Sequence, residues 1–310
     1  MSSLELFDPI RTTKLFFLKE NFNFLKKLIF ENKFPQVTLL TGEKGLGKST
    51  LVFHLMHSIF NKDNYDIKNN EILKKDIFFN QLTQNFFSNI IFLNGNKFKS
   101  VKVDDIRLLK ETLLKSSIIK GRRFIILDDI ESFNLNSLNS LLKIIEEPNQ
   151  QNYFILINNK SKTLLETIKS RCVEIKFFLS EHQRNNITSS LIKHFNQEIV
   201  LDNNLVKVSP GNFLRFNYFF IQNNINMEKD FSFNFNKLLN IYKKEKDLLF
   251  KDLILFFIEY NLQKKFFEKN INNDKFSDRL FIIEKINDFF SHNLNQKTLI
   301  NAIESKFINE

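Results

Sequence analysis

Cysteine is nearly absent from this 310-residue sequence. Its single thiol, Cys172, excludes an intramolecular disulfide and a multi-cysteine zinc site, and fits a reducing compartment. Tryptophan is missing, proline occurs four times and glycine six, so each glycine cluster calls for a local backbone reason. Long apolar runs are lacking too. The longest, Leu253 to Ile258, falls far short of the roughly 20 residues that cross a bilayer, so a buried helix is expected there and no membrane partner. Between Met1 and Glu20, Glu5, Asp8, Arg11, Lys14 and Lys19 are mixed among short apolar stretches, which leaves no continuous signal-peptide core and predicts a cytoplasmic protein. His54 and His57 stand three apart without acidic or thiol partners at ligand spacing, so no structural metal is expected.

Acidic residues are outnumbered, 35 against 45 Lys and Arg, for a net charge of +10. Such an excess attracts phosphates. Here Phe, Ile, Asn and Lys are all abundant, the pattern that A/T-rich codons impose, so part of the lysine excess reflects composition rather than a partner. Lys97, Lys99, Lys102, Arg107, Lys110 and Lys115 do not make one phosphate-binding face. On a helix beginning near Val103, Arg107 and Lys110 share a side, whereas Lys115 is rotated by about 140° from Lys110.

Val37–Thr41 reads as a short buried strand, followed by a glycine loop and by Leu51, Val52, Leu55 and Ile59 at helical spacing. Residues 61–89 are polar and carry no strong period, which predicts an irregular insert. Further strands are expected at residues 89–93, 123–127 and 153–157, with helices over 103–115 and through Leu138, Leu141, Leu142 and Ile145 up to Pro148. Alternating strands and helices imply a parallel sheet covered on both faces. After Phe178 the pattern is helical only. Ser180 and Gln183 form a capping box, Ser209-Pro210-Gly211 breaks the chain before another helix, and amphipathic spacing returns around residues 238–242, 247–269 and 280–290. Phe231, Phe233 and Phe235 read as core, with some aromatic area available to partners.

Gly42-Glu43-Lys44-Gly45-Leu46-Gly47-Lys48-Ser49, continued by Thr50, fits the P-loop pattern between a strand and a helix. Gly42, Gly45 and Gly47 let the backbone form a nest of N–H donors, Lys48 reaches outer phosphates and the Ser49 hydroxyl can ligate magnesium. The apolar strand Phe124–Leu127 ends in Asp128, the carboxylate a phosphate-bound magnesium needs. Asp129 follows where a water-activating group would stand, yet an aspartate is about one methylene shorter than a glutamate. ATP and Mg²⁺ are therefore the expected ligands, with Ser49 and Asp128 on the metal. An autonomous P-loop ATPase and a pure binding module remain alternatives.

Three stretches carry a resemblance. Leu141-Leu-Lys-Ile-Ile-Glu-Glu-Pro148, Thr167-Ile-Lys-Ser-Arg-Cys172 and Val101-Lys-Val-Asp-Asp-Ile-Arg107 are similar, in the same order, to signatures of bacterial clamp-loader AAA+ subunits. The likeness spans roughly residues 35–178. It implies an α/β P-loop AAA+ parallel-sheet domain over 1–178, a small helical lid over 179–224 and an all-α collar domain over 225–310 that holds subunits in a ring. It also implies membership of DNA polymerase III, a DNA-directed DNA polymerase, with gamma/tau and delta subunits as partners and the sliding clamp and primed DNA met through the complex. Motor members, gamma/tau, carry four zinc-binding cysteines after the P-loop helix and a Glu after the strand-end Asp. The cysteine-free insert and Asp129 point instead to the delta-prime branch, with weak or absent ATPase of its own. By the same resemblance Arg171 is an arginine finger presented to a neighbour's ATP, Asn158 or Asn159 a phosphate sensor, and Arg215 a nucleotide contact from the lid, although Asn212 stands where the lid arginine is expected.

Overall fold

The computed structural model describes residues 7–95, 101–115, 121–227, 230–245, 248–269, 275–292 and 295–308. Its centre is a five-stranded sheet, β1 (Val37–Thr41), β4 (Ile90–Asn94), β5 (Arg123–Asp128), β6 (Asn152–Asn158) and β7 (Val173–Lys176). All pairings are parallel, in the order β4-β5-β6-β1-β7. Strands buried on both faces need apolar side chains on both, and β5 shows why. Phe124 and Ile126 join a core with α1 (Lys19–Phe30) and α2 (Lys48–Phe60), while Ile125 and Leu127 face α4 (Val103–Leu114) and α5 (Leu135–Ile145). Thr41 pairs with Asn158 and Ile157 with Asp128, so the carboxyl ends of β1, β5 and β6 lie side by side.

The insert after α2 is ordered, contrary to the irregular segment expected. A two-stranded hairpin, β2 (Tyr65–Asp66) and β3 (Glu71–Ile72), precedes α3 (Ile77–Thr83). Asp76 caps α3, accepting from the Phe79 N–H at 3.0 Å. Each piece is too short to show a period, which hides it from pattern reading. Aromatic packing fills this region: Phe78 meets Phe87 edge-on at 4.9 Å and Phe60 at 6.3 Å. His54 is satisfied by the Tyr65 hydroxyl and the Thr12 carbonyl, both at 3.0 Å. His57 is fully buried against Phe78, and neither ring nitrogen has a hydrogen-bond partner among the described residues. Burial holds its pKa down at about 4, so it is neutral at pH 7. A buried polar group without a partner destabilises, so His57→Leu is expected to raise stability by about 1 kcal/mol in urea unfolding. A loss of stability would show that the ring's packing outweighs its orphaned nitrogens.

Residues 1–194 and 209–215 form one compact unit, and residues 195–208 and 216–310 a second. In the first, α6 (Glu166–Lys169) leads into β7, and α7 (Glu181–His194) opens on the expected capping box, with Ser180 and Gln183 bonded reciprocally at 2.9 and 3.2 Å. The division between units falls within α8 (Pro210–Gln222). The regular elements of the second unit, among its described residues, are all helices: the C-terminal part of α8, then α9 (Phe231–Glu245), α10 (Leu248–Lys269), α11 (Lys275–His292) and α12 (Gln296–Ile308). Phe235 is buried and stacks with Phe231, which stacks on Phe257, while Phe233 is exposed. Of the apolar run, Leu253, Ile254, Phe256, Phe257 and Ile258 are buried. No helix among the described residues is long and apolar enough to cross a membrane.

Candidate functional site

The loop between β1 and α2 turns on two left-handed glycines, Gly45 (φ +85°) and Gly47 (φ +87°), the second capping α2. Gly42 N–H donates to the Asn158 carbonyl at 3.1 Å, which ties the loop's start to the end of β6. Lys48, 2% exposed, lies back across the loop and donates from Nζ to the Gly42 and Glu43 carbonyls, both at 2.8 Å. Burial lowers its pKa to about 8, opposed by the negative charges of Asp128, Glu131, Asp129 and Glu43. The result is a desolvated cation facing an acidic cluster. Thr50 follows half-buried on α2.

The Ser49 hydroxyl donates to Asp128 Oδ2 at 2.6 Å. Asp128 Oδ1 accepts from the Asp129 N–H at 2.9 Å and from Asn159 Nδ2 at 3.2 Å. Burial first, and the Asp129 carboxylate second, push the Asp128 carboxyl above its usual range. Asp129 sits in the left-handed region (φ 51°, ψ 43°), buried, with Oδ1 receiving the same Asn159 amide at 2.7 Å. One amide thus spans both aspartates. Lys48, Ser49 and Asp128 are the side chains that could hold a phosphate and a hard divalent cation.

Of the two asparagines ending β6, Asn158 turns its side chain to the Lys160 N–H at 3.0 Å, and Asn159 reaches the carboxylates. Sequence reasoning missed Glu131, in the turn after β5. Its Oε1 accepts from the Asn159 and Ser161 N–H groups and the Ser161 hydroxyl at 2.8–3.1 Å, while Oε2 has no partner among the described residues. The only sequence signal was an acidic residue close behind the Asp pair. Arg184 on α7, also unsuspected, pairs with Glu43 of the loop at 3.3 Å.

Arg171 lies between α6 and β7. Its Nε donates to Glu146 Oε1 at 3.0 Å, a second guanidinium nitrogen joins the same oxygen, and a third reaches the Thr167 carbonyl at 3.0 Å. Both sequence signatures, that of Glu146 and that of Arg171, therefore meet in one ion pair. Arg215 is half-buried on α8, and the start of that helix meets the loop: the Ser209 hydroxyl bonds the Lys44 carbonyl, and Gly211 N–H donates to the Gly45 carbonyl at 3.0 Å. Among the cations on and around α4, Arg107 pairs with Asp104 at 2.9 Å, and Lys97 and Lys99 lie outside the described residues.

Compared with known proteins, residues 18–180 match the family described as DNA polymerase III, delta subunit. The chain is 38% identical over 76 residues to DNA polymerase III subunit delta' of Pseudomonas aeruginosa, covering 24% of this chain and 23% of that protein. It is 26% identical over 216 residues to the same subunit of Buchnera aphidicola from Acyrthosiphon pisum, covering 66% and 63%. The matched stretches thus span less than two thirds of these relatives' length. A solved DNA polymerase III gamma subunit-related protein of Thermotoga maritima superposes with a TM-score of 0.46 and 16% identity, over 91% of this chain and 97% of that one.

Proposed function

This chain belongs to the DNA polymerase III, delta subunit family, and we propose that it is the delta-prime member of a clamp loader, binding ATP with Mg²⁺ and lending Arg171 to a neighbour's site. The observation that carries this reading is Asp129. Where a motor subunit needs a carboxylate beside the phosphate to activate water, Asp129 sits buried on a left-handed backbone with its oxygen held by Asn159. The chain is built to bind nucleotide and contributes little base catalysis of its own.

The residues present fit the nucleotide. Two glycines at positive φ shape the nest, Lys48 would turn from its two carbonyl partners to phosphate oxygens, and the Ser49 hydroxyl and Asp128, 2.6 Å apart, are the oxygens that would hold the cation. Magnesium, when bound, would supply charge that neutralises the phosphates. Asn159 is the phosphate-sensing amide in this reading, in preference to Asn158. Residues 225–310 act as the collar, joining gamma/tau and delta subunits, and the clamp and primed DNA are met through that complex.

A second reading, an ATPase acting alone, is favoured by Glu131 Oε2, which has no partner among the described residues. Steady-state assays separate the two. With gamma/tau and delta from the same source, the chain is expected to complete a complex that loads the clamp onto primed DNA, while alone it hydrolyses ATP far below the usual 1 s⁻¹ or more. Ordinary turnover by the isolated chain, or no association with those subunits, defeats the proposal.

A further inference from the structure

Helix α8 starts on Pro210, with Ser209 at its N-cap. An N-cap serine ordinarily accepts a hydrogen bond from its own helix's first turn. Here the Ser209 hydroxyl instead donates to the Lys44 carbonyl, and the Gly211 N–H, one of the orphan donors of the helix start, goes to the Gly45 carbonyl at 3.0 Å. The phosphate loop thereby caps α8. All of these residues lie in the same compact unit.

This contact fixes the orientation of the loop's peptides. No cis peptide bond occurs among the described residues, and across a planar trans peptide the C=O of one residue and the N–H of the next point in opposite directions. With the Lys44 and Gly45 carbonyls drawn toward α8, the N–H groups of Gly45 and Leu46 point the other way. The approach is one that glycine permits. A Cβ on Gly45 would stand 2.3 Å from the Ser209 hydroxyl and 2.9 Å from the Asn212 nitrogen, and a Cβ on Gly211 would stand 2.7 Å from the Gly45 carbonyl oxygen. Arg215, the lid residue that the resemblance assigns to the nucleotide, comes a full turn after Gly211.

We propose that Ser209 and Gly211 are positioning residues for nucleotide binding: they hold the loop's carbonyls outward so that its N–H groups face the phosphates. This rests on the nucleotide reading above. Because the device acts on the cradle and not on the terminal phosphate, it affects ATP and ADP alike.

Calorimetric titration of the full chain with ATP and with ADP, in magnesium, tests it. In Ser209→Ala both affinities are expected to fall about fivefold, the worth of one hydrogen bond, and Ser209→Thr, which keeps the hydroxyl, recovers them. Gly211→Ala, which drives a methyl group against the Gly45 carbonyl, should weaken both further. Unchanged affinities in Ser209→Ala, or a loss confined to ATP, overturns the positioning role while the nucleotide reading stands. If the unaltered chain binds neither nucleotide, that reading fails in its own arm and this inference falls with it.

Discussion

Arg171→Ala is expected to slow ATP hydrolysis by the assembled clamp loader about 10³-fold at the neighbouring site proposed for it, the typical worth of an arginine finger. The guanidinium is already formed up. Two of its nitrogens hold Glu146 Oε1 and a third the Thr167 carbonyl, so its plane and reach are fixed before any neighbour arrives. The Glu146 pair is partly exposed on both sides, 34% and 48%, and such pairs contribute only about 0–1 kcal/mol. A polyphosphate with several charges is expected to outcompete it. Glu146→Gln should therefore change the rate less than about fivefold, and Arg171→Lys should fail to restore it, because an ammonium lacks the planar fork. Steady-state ATPase of the complex with each variant is the measurement, and an Arg171→Ala complex as fast as the parent would remove the finger from the scheme.

Lys48→Ala is expected to weaken ATP binding about 100-fold, the loss of one or two charge-assisted bonds from a buried side chain. The same lysine gives the binding a pH dependence whose sign follows from its pKa of about 8 in the free protein. Phosphate stabilises the ammonium and raises that value in the complex, so affinity is full below about pH 8. It falls as pH rises through the free-state value, up to tenfold per unit, and binding takes up a proton in that range. Calorimetry in buffers of different ionisation heat should record the uptake. Lys48→Ala should lose both the uptake and the slope, and a flat affinity profile in the parent from pH 7 to 9.5 would contradict the assignment.

How much of this was legible in the sequence depended on length and on reach. The strands at Val37, Arg123 and Asn152 announced themselves because central parallel strands must be apolar on both faces. The edge strand β7 did not. Val173 is 52% exposed and Glu174 and Lys176 flank Ile175, so it reads as a loop. Helix α1 is masked in the sequence, although Phe22, Leu25 and Ile29 form its buried stripe, because Phe24 and Phe30 on its exposed side blur the period. In the site, the P-loop and Asp128 follow from local spacing. Asn159 against Asn158, Glu131 on the turn at Ser161, and the Arg171 pair with Glu146 depend on contacts between segments about 25 to 30 residues apart, which no local pattern encodes.

The left-handed backbone of Asp129 bears on how such a subunit evolves. Aspartate, asparagine and glycine occupy that conformation with least strain, whereas a longer side chain without local hydrogen bonding does so at a cost of about 1–2 kcal/mol. The change that looks simplest on paper, Asp129 to the glutamate of the motor subunits, is therefore opposed by the main chain as well as by the closed space around it. A glutamate at this position is therefore expected to require that the turn itself be rebuilt.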